Sequence, residues 1–343
     1  MSKLKEEIKR ELHTMTIMSN SIIIELENII RSCNENKIAV SKTLENLNKI
    51  VETEDVSPVT PPIIPPTNTK NKFEAAKGKG AFLYYLDPIY KEEGGIDKAV
   101  AWMKKLGMNN IWIRILGKAG WSATQTKQQA KDFVKACREA GIVPGAWGYE
   151  YQSPENVNKY ASYINEYMRE LGLDLYVHNV EKEWEDSSAI VEEEYAKRYF
   201  SRVIELMPDI CHGLSTFWNP QSHPNMPWKV FSEYCDFFAP QAYHVTKNPI
   251  DLINKAISLN NIFNKPINVT IQGFWGEMGI GEQGATRDFE TICNSWNTGI
   301  GLKAITGEVI GITFWHLGGK GCAAFNEMME ESWRNFTPNL FRT

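Results

Sequence analysis

The chain has 343 residues, 43% hydrophobic and 23% charged, the balance of a folded protein larger than one average domain. Its 37 basic and 42 acidic residues leave a net charge of −5, which argues against an electrostatic nucleic-acid surface. Six cysteines without CxxC spacing read as free thiols in cores, and the lack of any run of 18 apolar residues excludes a spanning helix.

Residues 1–52 carry a heptad repeat. Ile8, Met15, Ile22, Ile29, Asn36, Thr43 and Ile50 fall at the first core position; Leu12, Ser19, Leu26, Cys33, Val40 and Leu47 fall at the second. No proline or glycine interrupts the run, and its 3.5-residue period predicts a coiled-coil helix that makes the chain a homo-oligomer. Isoleucine at the first position with leucine at the second favours a parallel pair; the polar core residues leave a trimer open. The charged stretch Lys3–Glu11 lacks the order of a signal peptide, so synthesis in the cytoplasm without a classical leader is expected. Residues 53–75 follow as a spacer. Pro58, Pro61, Pro62, Pro65 and Pro66 enforce extended backbone there.

From residue 76 to 343 strand and helix patterns alternate. Strands are expected at 80–88, 109–116, 142–151, 173–181, 210–218, 235–244, 267–275 and 309–317. Helical patterns fill most gaps, at 96–107, 126–141, 153–172, 189–207, 251–260 and 284–299. Eight such units predict an α/β fold of the (β/α)8 barrel type, preceded by the coiled-coil helix. A doubly wound sheet competes but lacks a GxGxxG loop after the first strand.

In a barrel, functional groups gather at the C-terminal ends of the strands. The fourth strand runs into four carboxylates: Glu181, Glu183, Glu185 and Asp186. Leu175, Val177, Asn179 and Glu181 share one face; Tyr176, His178 and Val180 share the other. Hydrophobicity alone does not choose the inward face. If the first set faces inward, Asn179 and Glu181 stand at the rim, with Glu183 continuing the same parity. Other strand ends bring Asp87, Arg114, Tyr149, Gln241, Tyr243, Gln272 and Trp315 to the same rim. Asp87 before Pro88 also fits the start of a turn. Carboxylates, amides and aromatics together suit a sugar, because polar groups bind hydroxyls while rings cover pyranose faces.

Glycosidic cleavage needs a proton for the leaving oxygen and stabilisation of an oxocarbenium-like centre. Glu181 is the expected acid, with Asp87 or Glu183 as the stabilising charge; a substrate-assisted route through an N-acetyl group is also open. Arg114, Asn179, Tyr149, Gln241, Tyr243, Gln272 and Trp315 are expected to bind substrate. His178, His244 and His316 form no metal-ligand set, and neither metal nor cofactor is expected.

These motifs resemble the family 25 lysozymes and family 18 chitinases. Asp87 in YYLDP resembles the aspartate ending the lysozymes' first strand. Asn179-Val180-Glu181 resembles the Asp-x-Glu of the fourth, with asparagine in place of aspartate. FFAPQAY, with Tyr243, and ITFWHL, with Trp315, resemble the sixth and eighth strands. A chitinase-like frame shifts the pattern by two and makes Glu183 the acid. The resemblance implies a glycoside hydrolase of N-acetylated polysaccharide, foremost a lysozyme-like muramidase acting on peptidoglycan. The alternatives are a chitinase-like N-acetylglucosaminidase and a catalytically silent cell-wall-binding barrel. The layout of coiled coil, spacer and barrel is similar to a bacteriophage tail or lysis component, which implies a virion-associated or lysis-released protein.

Overall fold

The computed structural model describes residues 69–339, apart from segments at 119, 123, 152–153, 186–188, 245–246, 276–280, 300–308 and 319–324. The expected coiled coil at 1–52, and the spacer up to residue 68, lie outside the described residues.

The strands are β1 (Gly78–Leu83), β2 (Asn110–Gly117), β3 (Gly120–Trp121), β4 (Val143–Tyr149), β5 (Leu175–Asn179), β6 (Cys211–Phe217), β7 (Phe237–Ala242), β8 (Ile267–Gln272) and β9 (Val309–Leu317). All but β3 run parallel in the order β1-β9-β8-β7-β6-β5-β4-β2, and pairing of β1 with β2 closes the eight into a barrel. The two-residue β3 is an antiparallel appendage of β2. Nine helices are described: α1 (Leu86–Glu93), α2 (Ile96–Lys105), α3 (Lys127–Glu139), α4 (Pro154–Leu171), α5 (Ala189–Leu206), α6 (Trp228–Tyr234), α7 (Pro249–Asn260), α8 (Glu282–Gly299) and α9 (Glu327–Asn335). None of the described helices is long and apolar enough to cross a membrane.

Strands buried on both faces read as nearly continuous apolar runs, and β2 is an example. Its Ile111, Ile113 and Ile115 join the layer under the helices, while Trp112 belongs to the lumen cluster. That lumen is aromatic. The Phe82 ring centroid lies 4.8 Å from Trp112 and 5.4 Å from Trp315, and Trp147 lies 5.0 Å from Trp315. Each such edge contact adds about 0.5–1.5 kcal/mol to area burial. The bulk fits because small residues face it. A Cβ on Gly145 would come within 2.9 Å of Trp112, and one on Gly213 within 2.3 Å of Phe237. Below the aromatics, Asn268 Nδ2 donates to the Ala76 carbonyl at 2.7 Å and Asn110 Nδ2 to that of Lys77 at 2.8 Å.

Capping sets the helix starts. Thr126 and Gln129 form a reciprocal capping box on α3, and Asn248 caps α7 just before Pro249.

Two boundaries differ from expectation. The compact barrel unit runs Asn68–Thr343. The last residues of the expected spacer form a 3-10 helix, Thr69–Ala76, and Phe73 and Ala75 pack on the lumen cluster. The first strand stops at Leu83 and not at 88, because Leu86 already opens α1. Asp87 and Pro88 suit a helix's first turn, where a carboxylate meets the positive dipole end and proline lacks no needed N–H. Leu86 and Ile89 bury against the core, so the apolar run continues through the change of structure.

Candidate active site

A cavity of about 470 Å³ opens at the C-terminal end of the barrel. That is within the range of small-ligand clefts. Its floor and walls include Tyr84, Trp147, Tyr151, Phe217, Trp218 and Trp315, together with Arg114, Tyr149, Asn179, Glu181, Gln241 and Tyr243.

Strand parity explains the polar wall. Leu175 and Val177 of β5 enter the lumen cluster, so Asn179 and Glu181 continue upward on that inward face. Gln241 of β7 reaches across to them. Its Nε2 donates to Asn179 Oδ1 at 2.8 Å and to Glu181 Oε1 at 3.0 Å, with Ser215 Oγ at 3.3 Å. Burial raises the Glu181 carboxyl above its ordinary pKa and the neighbouring Glu183 charge adds to this, while hydrogen bonds from Gln241 and Asn179 oppose it. Among the described residues, Glu181 is the one carboxylate lining the cavity.

Glu183 lies one step away, in the 3-10 turn Lys182–Trp184. Its Oε2 accepts from the Tyr149 hydroxyl at 2.6 Å. Burial, then this bond, pushes the Tyr149 phenol upward, so it stays a donor. The Tyr149 and Tyr151 rings meet at 4.8 Å, and Tyr243 packs edge-on to Phe274 at 5.7 Å.

Two expected residues stand elsewhere. Asp87 points out of the barrel: its Oδ1 accepts from Tyr90 Oη and Gln129 Nε2, each at 2.7 Å, and Lys91 lies 3.7 Å from Oδ2. Starting the helix at Leu86 rotates it away from the rim, and it does not line the cavity. Gln272 is 1% exposed and donates to the Phe274 carbonyl at 3.1 Å, bracing the turn after β8. Conversely, Tyr84, Phe217 and Trp218 line the cavity without having been expected there. Tyr84 was legible, because it shares parity with Phe82 of the lumen. Phe217 and Trp218 close the run STFW at the β6 end, where apolar character alone does not distinguish core from cavity.

A second polar cluster lies behind the cavity, between the barrel wall and the helices. Glu150, His178 and His212 are each 0% exposed. Tyr176 Oη lies 2.9 Å and His178 Nδ1 3.1 Å from Glu150 Oε1; Tyr199 Oη also lies 3.1 Å from Nδ1. His178 Nε2 meets His212 Nδ1 at 3.2 Å, and His212 Nε2 meets the Met207 carbonyl at 3.2 Å. A carbonyl only accepts, so His212 donates from Nε2, His178 donates from Nε2, and His178 Nδ1 accepts. That assigns an O–H donor to the far end, which the Tyr199 hydroxyl or a protonated Glu150 supplies. Burial drives every group the matching way: Glu150 well above its ordinary pKa, both imidazoles well below. The contact is a neutral hydrogen bond and not an ion pair. Glu150 escaped the sequence reading because it follows the strand with inward-looking tyrosines on both sides.

No protein-family model and no curated protein matches the chain. Solved structures match its shape. A GH5_18 protein from Streptomyces cattleya in complex with GlcNAc aligns at a TM-score of 0.54 with 10% identity, over 76% of this chain and 82% of that one. The endo-1,4-beta-mannanase of Rhizomucor miehei aligns at 0.52 with 9% identity, over 76% and 93%. Active domain 2 of the thermostable chitinase of Pyrococcus furiosus, in catalytic-site mutant form with chito-oligosaccharides, aligns at 0.50 with 11% identity, over 75% and 93%. At such identities the likeness is one of fold: the chain shares its barrel architecture with glycoside hydrolases.

Proposed function

We propose that the barrel hydrolyses glycosidic bonds in an N-acetylated polysaccharide, with Glu181 as proton donor. The observation that carries this reading is the Glu181–Gln241–Asn179 arrangement. A carboxyl raised by burial stands at the wall of an aromatic cavity, held by two neutral amides. It stays protonated above the ordinary carboxylate range, as a general acid must.

The absence of a second carboxylate among the described lining residues favours the substrate-assisted route over a two-carboxylate one. Glu181 gives its proton to the glycosidic oxygen as the sugar's N-acetyl carbonyl oxygen attacks C1. The C1–O bond breaks and the leaving sugar departs as an alcohol. The Glu181 carboxylate then takes a proton from water as that water attacks C1, which regenerates the acid and the N-acetyl group. Asn179, Gln241 and Tyr243 orient the acetamido group, and Trp147 and Trp315 carry the apolar ring faces. Two displacements retain the anomeric configuration.

Peptidoglycan, cut as by a muramidase, is the leading polymer, and chitin the second. Residues 1–52 would present the barrel as an oligomer on a virion-type or lysis-type protein; identical sedimentation of the full chain and of a chain starting near residue 75, after allowance for mass, would remove that part. The rival function is a silent cell-wall binder. Reducing-end release from solubilised peptidoglycan and chitooligosaccharide separates the two. The full-length chain should shorten one of these polymers, while pull-down without shortening would establish the binder.

A further inference from the structure

Arg114 stands inside the cavity, yet the proton transfers above make no use of it. It faces the lumen one layer above Trp112 on β2. Its guanidinium carbon lies 4.6 Å from the Tyr84 ring centroid and 5.4 Å from that of Trp147. Its Nε is buried and has no hydrogen-bond partner among the described residues, and no described carboxylate pairs with it. The two ring centroids are only 5.9 Å apart, so both rings flank the guanidinium from the same side and leave its N–H edge for a polar acceptor.

Two more cations repeat the pattern. Lys118 Nζ sits 5.5 Å over Tyr151, and Lys247 Nζ 4.8 Å over Trp218; both lysines are exposed, and both rings line the cavity. The positive groups therefore ride on the aromatic walls. None of the three forms an ion pair with a described carboxylate, and the Glu181 carboxyl answers to burial, the two amides and Glu183. An arginine paired with the acid would favour its ionised form and work against proton donation.

We infer that Arg114, with Lys118 and Lys247 at the rim, forms a subsite for a carboxylate carried by a sugar. The cavity then takes an acidic N-acetylated oligosaccharide in preference to neutral chitin. A guanidinium fork matches a carboxylate with two parallel hydrogen bonds, whereas a sugar hydroxyl uses one N–H and leaves the charge unanswered. The carboxylate belongs either to a uronic acid or to a lactyl ether with a free acid, as in glycan strands stripped of stem peptides. This inference rests on the carbohydrate reading of the cavity.

The test is calorimetric titration of the full-length Glu181→Gln protein, which removes the proposed proton donor. The probes are a glucuronate–N-acetylglucosamine oligomer, a peptide-free N-acetylglucosamine–N-acetylmuramate oligomer, the carboxyl-reduced form of each, and chitotetraose. One acid form should bind at least about tenfold more tightly than its reduced counterpart, and the source that shows the gap identifies the sugar. The gap should narrow with added salt, vanish when Arg114→Gln is added, and return in part with Arg114→Lys. Equal affinity for acid and reduced forms, no binding of either acid form, or a gap that survives Arg114→Gln would overturn the proposal. If the glutamine variant fails to fold, the acid-against-reduced comparison with Arg114 in place still decides. Reducing-end release by the unsubstituted protein is scored separately. A gap without release removes the hydrolase and keeps this subsite; release from chitotetraose with no gap does the reverse.

Discussion

Glu181 and Glu150 stand just beyond the ends of adjacent strands, on opposite sides of one barrel wall. Burial raises the pKa of both. Their surroundings then part. Glu181 meets two amides and opens onto a cavity, so its proton can go to a molecule that arrives there. Glu150 is sealed, and its Oε1 is engaged by Tyr176 and His178 in a chain that ends on the Met207 carbonyl. A raised carboxyl is thus no mark of an active site by itself. What separates a proton donor from a structural acid is an unfilled volume beside it and neighbours that leave its proton unclaimed.

The sharpest way to break that contrast is to replace each acid. Glu181→Gln keeps the size and loses the proton, so hydrolysis should fall at least ~100-fold with the melting temperature little changed. Glu183→Gln should lose much less, since its carboxylate is engaged by Tyr149. The opposite order in steady-state rates on solubilised peptidoglycan would move the acid to Glu183.

On the sealed side the readout is stability. Glu150→Ala should cost about 2–4 kcal/mol in urea unfolding by orphaning Tyr176 and His178, with less than about a tenfold change in rate. Glu150→Gln imitates the protonated acid and should be tolerated within about 1 kcal/mol. A carboxyl whose folded pKa is raised stabilises fully below its unfolded pKa and loses that contribution as pH rises through the folded one. The unsubstituted protein should therefore weaken toward alkaline pH more than Glu150→Gln does. Parallel stability–pH curves would argue for an ionised Glu150.

Smaller effects come next. The amide at 179 spares Glu181 a neighbouring negative charge. Asn179→Asp should raise its pKa further and move the basic limb of the pH–rate profile upward. An unmoved limb would place the titrating group elsewhere. Smallest of all is Asp87→Asn. Rates should stay within about twofold, and stability should fall by no more than about 1 kcal/mol, because the side chain is 41% exposed and its ion pair is screened. A loss of hydrolysis there would return Asp87 to the site.

Much of this was legible before folding. The eight strand–helix units follow from apolar periodicity, and every expected strand overlaps an observed one. Inside a strand, alternation puts Asn179 and Glu181 together on one face whatever else happens. Residues past a strand end were harder. Asp87 and Gln272 followed apolar runs just as Glu181 did. Their fates depended on whether the backbone turned into a helix or a brace; Tyr90 and Phe274 are local partners that apolar patterning does not single out, and Gln129 lies 42 residues from Asp87.

The sequence by itself determined the barrel and the parity of its strands, because both rest on local patterns of apolar side chains that any correct fold must bury. Only the tertiary structure decided the rest. It chose the inward face of β5, joined Gln241 to an asparagine 62 residues away, hid Glu150 behind the wall, and set Arg114 against Tyr84 and Trp147. Those outcomes depend on closure of the barrel, which fixes neighbours by register between strands and not by distance along the chain.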